Sequence, residues 1–193
     1  MNEPSAAVDR WDRHYAEAGP DRPRGNPWRL VDAAEIQALA VHATPSQAGE
    51  RALDVGCGVG DLTATLHQLG YQADGVDLSP TAINQARTHH PECQFACTDI
   101  SSLPDGPAYT LIVTRLVFPF IDQAAFLDQT RRLLTGRGRL LVLDYLATDL
   151  RAQARGIGLT DQHLAALTAW SSHITRYTSQ SLRGWLGTPK EAP

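Results

Sequence analysis

The stretch Arg51-Ala-Leu-Asp-Val-Gly-Cys-Gly-Val-Gly-Asp-Leu-Thr63 decides the fold of this chain. Residues 52–55 form a short apolar run with one acid, which is typical of a buried strand. Glycines follow at alternate positions, at Gly56, Gly58 and Gly60, and leucines then recur at the spacing of one helix face. The stretch therefore predicts a strand, a glycine turn and a helix, the unit that opens a wound α/β sheet.

The glycine turn is also a candidate ligand site. Glycine is needed where the backbone takes positive φ or where a ligand lies against the main chain, and α/β sheets bind ligands beyond the carboxyl ends of their strands. The dinucleotide fingerprint G-x-G-x-x-G would place its third glycine where this chain has Asp61. Asp54 adds a negative charge at the strand end, which favours a cationic ligand over a pyrophosphate. The alternative is a glycine-rich turn that binds no ligand.

Composition excludes several functional classes. The length of 193 residues predicts one domain. The net charge of -4 argues against non-specific binding of nucleic acid. It has no signal-like segment and no apolar run of membrane-spanning length. Cys57, Cys93 and Cys97 form no CxxC pair, so we expect buried free thiols rather than a disulfide or a metal site. These features predict a cytoplasmic protein without a membrane or nucleic-acid partner.

Strands and helices alternate through the middle of the chain. Apolar runs and turn signals predict strands at residues 52–55, 72–77, 93–97, 109–114 and 139–146, with helices between most of them. Repeated βα units with short turns predict a parallel, doubly wound sheet with helices on both faces. We expect a single domain, 1–193, made of a helical lid (1–45), a Rossmann-like core (46–148) and a helical C-terminal extension (149–193).

Two acids follow later strands at informative positions. Asp77 lies about 20 residues past the glycine turn, where an acid accepts hydrogen bonds from the ribose hydroxyls of a bound nucleoside. NAD would use the same contact, and the alternative is that Asp77 caps the helix opened by Pro80. Asp99, after the third strand, can accept from an adenine amino group, while Leu78 and Ile100 offer apolar faces to the ring. The alternative for Asp99 is a turn residue.

Leu53-Asp54-Val55-Gly56-Cys57-Gly58-Val59-Gly60 resembles the first motif of the class I S-adenosylmethionine-dependent methyltransferases. Leu133-Leu134-Thr135-Gly136-Arg137-Gly138-Arg139-Leu140 is similar to the family's turn before strand five, with Thr135 in place of the usual proline and Arg137 between the glycines. Trp11-Asp12-Arg13-His14-Tyr15-Ala16 resembles the helix that many small-molecule methyltransferases fold over the cofactor. The resemblance covers roughly residues 8–146 and implies S-adenosylmethionine as cofactor.

The resemblance implies a set of cofactor contacts, namely Tyr15, Asp54, Gly56, Gly58, Asp77, Leu78, Asp99, Ile100 and Thr114. Methyl transfer depends mainly on holding the nucleophile and the methyl group in line, so a strong general-base signal is not required. Weak candidates for a base are His14, Tyr15 and Asp144. Because adjacent strand residues face opposite sides, at most one of Asp144 and Tyr145 points into the cleft.

The end of the fourth strand bears on metal use and on substrate. It reads Thr114-Arg115-Leu116, whereas the metal-dependent catechol-type enzymes would have an Asp there, so we expect no metal. The Asn/Asp-Pro-Pro-Tyr signature of amine-methylating enzymes is absent as well. The predicted function is methyl transfer to a small organic molecule through O, N or C. The alternative is a non-catalytic protein that keeps the fold and binds the cofactor; an RNA methyltransferase is disfavoured by charge.

The C-terminal segment predicts a departure from the family. In the family a helix and an antiparallel hairpin follow strand five, but the segment after Leu146 reads as helices and leaves no apolar run for two strands. We therefore expect a five-stranded sheet ordered 3-2-1-4-5, with strand five at the edge. Residues 140–143 would form an apolar edge with unpaired backbone groups. A strand from residues 172–178, the terminal helix or a second chain could cover this edge, and we expect a second chain, as a homodimer.

Overall fold

The computed structural model describes residues 6–18, 31, 33–106, 108–179 and 182–190. Their strands form one seven-stranded sheet, ordered β3-β2-β1-β4-β5-β7-β6. The elements are α1 (Ala6–Ala18), α2 (Ala33–His42), β1 (Arg51–Val55), α3 (Asp61–Gln68), β2 (Gln72–Asp77), α4 (Pro80–His89), β3 (Gln94–Cys97), β4 (Tyr109–Arg115), α5 (Gln123–Leu133), β5 (Leu134–Asp144), α6 (Asp161–Trp170), β6 (Ser171–Ser179) and β7 (Leu182–Pro189). Short 3-10 helices lie at Ile100–Ser102, Phe118–Phe120, Ala147–Asp149 and Ala152–Ile157.

The first five strands confirm the predicted parallel order 3-2-1-4-5. β1 lies between β2 and β4 and pairs with both in parallel, and β4 pairs in parallel with β5. Alternate residues of β1 bury on opposite faces: Ala52 packs in a core with side chains of α2 and α3, and Leu53 in a core with side chains of α5 and α6. The carboxyl ends of β1, β2 and β4 consequently meet at one edge of the sheet, next to the glycine turn.

The prediction that the C-terminal hairpin is missing is wrong. β7 pairs antiparallel with β5, and β6 pairs antiparallel with β7. The hairpin needs few apolar residues, because β7 buries Leu182, Trp185 and Leu186, and β6 lies at the edge of the sheet. β5 is therefore not an edge strand. Its backbone groups pair with β7, which removes the reason for a homodimer through strand five.

The helical extension predicted for residues 149–193 is also wrong in part. α6, with Thr160 as its N-cap, and a 3-10 helix at Ala152–Ile157 agree with it, but Ser171–Ser179 and Leu182–Pro189 form strands. The predicted Gly136–Gly138 turn lies inside β5, as a bulge between the pairs Tyr109↔Leu134 and Leu111↔Arg139.

Some expectations concern other parts of the chain. Cys57 and Cys93 are free and buried as expected, but the free Cys97 is exposed. Part of the helical lid predicted for residues 1–45, including 1–5 and 19–30, lies outside the described residues. In the part of the chain that the structure describes, no helix has both the length and the apolar character to cross a membrane.

Candidate functional site

A cavity of about 410 Å³ lies at the carboxyl ends of β1, β2 and β4. Segments far apart in the sequence form its wall, because the parallel strands bring their ends to one edge. Eight of the nine predicted cofactor contacts and the base candidate His14 line it: His14, Tyr15, Asp54, Gly56, Gly58, Asp77, Leu78, Asp99 and Ile100. The sheet thus gathers these residues at a single site.

The glycine turn gives the cavity a wall of bare backbone. Gly56, Gly58 and Gly60 all have positive φ, of 73°, 54° and 91°, a conformation that L side chains avoid. Space is limiting too: a Cβ on Gly58 would lie 2.5 Å from Tyr15 Oη, and one on Gly56 would overlap Val117. A side chain at either position would fill the space beside the main chain. The turn therefore fits a ligand that lies directly against the backbone.

Asp77 is held by the backbone on both of its oxygens. Oδ2 accepts from the N–H of Gly58 at 2.9 Å, and Oδ1 accepts from the N–H of Ser79 at 2.9 Å. Burial raises the pKa of Asp77, and these hydrogen bonds oppose the rise. The N-cap of α4 is Ser79, which accepts from Ala82, so Asp77 does not cap that helix. Each oxygen keeps the capacity to accept one more hydrogen bond.

Asp54 is buried at the end of β1. It is 1% exposed, and its Oδ2 accepts from Thr63 Oγ1 at 2.8 Å. Burial raises the pKa of Asp54 to about 7, while the Thr63 hydrogen bond and the charge of Arg115 pull it down. A cation in the cavity would favour the ionised form of this carboxyl. The acid therefore suits a positively charged ligand.

Asp99 combines a structural hydrogen bond with a place in the cavity wall. It is the N-cap of the 3-10 helix Ile100–Ser102 and accepts from the N–H of Ser101 at 2.8 Å. It lines the cavity beside Leu78 and Ile100. The turn role and the ligand role are therefore compatible at this residue.

Helix α1 closes over the cavity, and Asp12 anchors it. Asp12 Oδ1 accepts from Ser79 Oγ at 2.7 Å and from the N–H of Thr81 at 2.9 Å, at the start of α4. These bonds lower the pKa of Asp12. On the other side, the Trp11 ring meets the edge of Phe120 at 5.5 Å. The sequence analysis predicted that this helix covers the cofactor, but it missed the anchoring role of Asp12. The position of Asp12 within the lid motif was the one sequence signal for that role.

Two predicted residues do not reach the cavity. Thr114 and Asp144 are both 0% exposed and neither lines it. Asp144 Oδ1 accepts from the N–H of Tyr145 at 2.9 Å, while its Oδ2 has no hydrogen-bond partner among the described residues. Burial raises the pKa of Asp144 to about 8. Neither side chain faces the cavity in this structure, and the contacts with a ligand expected of them stay predictions.

The wall also holds an ion pair that sequence reasoning missed. Arg115, at the end of β4, donates from Nε to Glu35 Oε1 at 2.8 Å and from Nη2 to Oε2 at 3.0 Å. Glu35 belongs to α2 and is 2% exposed. Eighty positions separate the partners, so no local pattern predicts their contact.

The wall also has an apolar group of residues after β4, interrupted by Asp122. It contains Leu116, Val117, Phe120, Ile121, Ala125 and Phe126. Leu116 has a φ of 60°, which is costly for a residue with a side chain, and its N–H donates to the carbonyl of Leu143 at 2.8 Å. This side of the cavity suits the apolar body of a second molecule. Within the described ranges, no group of three His, Cys, Asp or Glu could hold a metal ion.

Comparison with known sequences points to one family. Residues 52–138 match the model of a family described as a methyltransferase domain. The ubiquinone biosynthesis O-methyltransferase of Xylella fastidiosa strain 9a5c is 31% identical over 141 residues, which is 68% of this chain and 52% of that protein. The trans-aconitate 2-methyltransferase of Escherichia coli O7:K1 is 35% identical over 96 residues, 48% of this chain and 38% of that protein. The chain thus matches about half or less of these relatives.

Solved structures share the whole architecture. Geranyl diphosphate C-methyltransferase from Streptomyces coelicolor A3(2) superposes with a TM-score of 0.71 at 12% identity, covering 98% of this chain and 100% of that one. The N-methyltransferase NodS from Bradyrhizobium japonicum WM9 gives 0.68 at 21% identity, covering 93% and 97%. At such identities the likeness establishes the fold. Residues 52–138 thus form a methyltransferase domain, and the chain has the fold of solved S-adenosylmethionine-dependent methyltransferases.

Proposed function

We propose that this protein transfers a methyl group from S-adenosylmethionine to a small organic molecule, without a metal. The observation that carries the proposal is one cavity under the helical lid α1, lined by both polar and apolar residues. Asp54, Asp77 and the bare glycine turn line it together with the apolar Leu116, Val117, Phe120 and Phe126. A polar nucleoside cofactor and an apolar acceptor would thereby share one enclosed space.

The polar residues of the cavity match the chemical groups of the cofactor. Asp77 would accept from the ribose hydroxyls, because each of its oxygens keeps a lone pair beyond the backbone bond it accepts. Leu78 and Ile100 would flank the adenine, with Asp99 at its amino group. The glycine turn leaves room for the amino acid end of the cofactor. The Asp54 carboxylate would attract the positively charged groups of the cofactor. Bound there, S-adenosylmethionine supplies an activated methyl group on a sulfonium.

The chain's own contribution to transfer is positioning and exclusion of water. The apolar wall and the Trp11–Phe120 contact would cover the acceptor, and an enclosed site holds nucleophile and methyl group in line. His14 and Tyr15 carry the titratable side chains that α1 presents to the cavity. His14 would take a proton from an acceptor hydroxyl or amine, while Tyr15, stacked over Gly58, would contact the cofactor.

Further observations support the class of acceptor, the independence from metal and the cellular location. The named relatives and neighbours act on acceptors as different as a geranyl diphosphate and a trans-aconitate, so acceptor chemistry varies on this fold. The apolar wall favours an acceptor with an aromatic or aliphatic body. The arginine at the end of β4 stands where metal-dependent enzymes carry an acid, which supports metal independence. Three free cysteines suit the cytoplasm.

The test has two stages. Native mass spectrometry of the purified protein should detect S-adenosylmethionine or its demethylated product. The protein is then incubated with methyl-labelled S-adenosylmethionine and a panel of phenols, amines and apolar carboxylic acids, with Asp77→Ala as the control. Label transfer to one class supports the proposal. Cofactor binding without transfer to any acceptor in the panel would favour the alternative, a non-catalytic cofactor-binding protein.

A further inference from the structure

A positive side chain stands in the wall of a cavity proposed for a cation. Arg115 lines the cavity together with Asp54, and its guanidinium is always protonated at ordinary pH. A fixed positive charge there would oppose a sulfonium, since charges interact strongly inside a protein. The geometry must therefore cancel this charge if the site is to hold the cofactor.

The cancelling charge comes from α2. Glu35 meets Arg115 with both carboxylate oxygens, at 2.8 and 3.0 Å. The Arg115 side chain is 10% exposed and the Glu35 side chain 2%, so water screens neither charge well. Buried two-point pairs of this kind keep both partners ionised and fixed in orientation. The pair contributes no net charge to the cavity wall, and the aspartates that line the cavity, Asp54 and Asp77 among them, set its sign.

We propose that Glu35 is a charge-balancing residue: by pairing with Arg115 it makes the cavity favour the cationic cofactor over its neutral, demethylated product. Glu35 touches neither ligand and acts through Arg115. This inference rests on the proposed function, because it assumes that S-adenosylmethionine binds in this cavity.

The two ligands make this inference testable. S-adenosylmethionine and S-adenosylhomocysteine share the adenosine, the amino group and the carboxylate, and they differ by a methyl group and its positive charge. A change in the shape of the cavity would alter both affinities together, and so would a loss of contact with the shared carboxylate. A change in charge alters the ratio of the two. The ratio of dissociation constants therefore isolates the role of Glu35.

The experiment is titration calorimetry of both ligands against the whole chain and three variants. Glu35→Gln removes the carboxylate that Arg115 meets at two points, and should reduce the preference for S-adenosylmethionine by about tenfold, the size of a unit charge acting over roughly 10 Å in a protein interior. Arg115→Met removes the guanidinium from Glu35 and should shift the ratio the opposite way, by about threefold, a smaller effect because burial disfavours a carboxylate that has lost its counter-charge. Glu35→Gln combined with Arg115→Met should return the ratio to that of the wild type.

A matched control exists at the other end of the sheet. Asp74→Asn removes a carboxylate from Arg51, its partner at 2.5 Å at the amino ends of β1 and β2, and should leave the ratio unchanged. An equal loss of affinity for both ligands in Glu35→Gln and in Arg115→Met would overturn the inference and assign the pair a structural role. If Glu35→Gln fails to fold, the opposite shift in Arg115→Met and its cancellation in the double variant still decide. Absence of binding of either ligand to the wild type would instead refute the proposed function.

Discussion

Two acids at the carboxyl edge of the sheet have different surroundings. Asp77, at the end of β2, lines the cavity and has a backbone N–H on each oxygen. Asp144, at the end of β5, is sealed under α5 and α6, and one of its oxygens has no partner among the described residues. Burial raises the pKa of both. A position at the end of a strand therefore does not by itself bring a side chain to the cavity. The face of the sheet from which the side chain projects determines whether it reaches the cavity.

The largest expected effect tests Asp77, the acid in the cavity wall. Asp77→Ala should weaken binding of S-adenosylmethionine by about ten- to a hundredfold, because hydrogen bonds to a charged group contribute roughly 1.5 to 3 kcal/mol. Titration calorimetry measures the affinity, and circular dichroism checks that the variant remains folded.

Asparagine at both positions sharpens the contrast, since it changes charge and little else. Asp77→Asn should still weaken binding, whereas Asp144→Asn should bind within about twofold of the wild type, because no ligand reaches Asp144. Equal losses in the two variants would contradict the difference drawn between these acids.

Asp144, the buried acid, should instead affect the free energy of unfolding. A carboxyl with a pKa near 3.9 in the unfolded chain and about 8 in the folded one binds its proton more tightly when folded. Its stabilisation is complete below pH 4 and is lost as pH rises toward 8. Asp144→Asn removes this dependence. Its free energy of unfolding relative to wild type should rise by about 1.4 kcal/mol between pH 6 and pH 7, as urea denaturation can measure. A constant difference over that range would show that Asp144 is ionised in the folded protein.

A smaller effect concerns Asp54. Because its pKa is about 7 and a cation favours its ionised form, affinity for S-adenosylmethionine should rise by up to about tenfold from pH 6 to pH 8. His14, the proposed proton acceptor, lines the same cavity, so Asp54→Asn is the control. The pH dependence should largely disappear in that variant; if it persists unchanged, another group such as His14 is responsible.

What the sequence could predict follows from how local the signals are. The glycine turn, Asp54 and Asp77 belong to one strand-turn-helix-strand unit, so their spacing was sufficient to place them. The hairpin was missed because β6 reads Ser-Ser-His-Ile-Thr-Arg-Tyr-Thr-Ser, whereas the parallel strands are apolar runs. An edge strand does not need two buried faces. The Glu35–Arg115 pair depends on how α2 packs against the end of β4, which no pattern within either segment specifies.

The central claim is that this cavity binds S-adenosylmethionine and not a dinucleotide. Thermal unfolding with each ligand tests it directly. At a hundred times its dissociation constant a ligand stabilises the folded state by about 2.7 kcal/mol, which for a chain of this size is a shift of roughly 5 to 11 °C in Tm. S-adenosylmethionine and S-adenosylhomocysteine should each give such a shift, and NAD none. A larger shift with NAD than with S-adenosylmethionine would contradict the account.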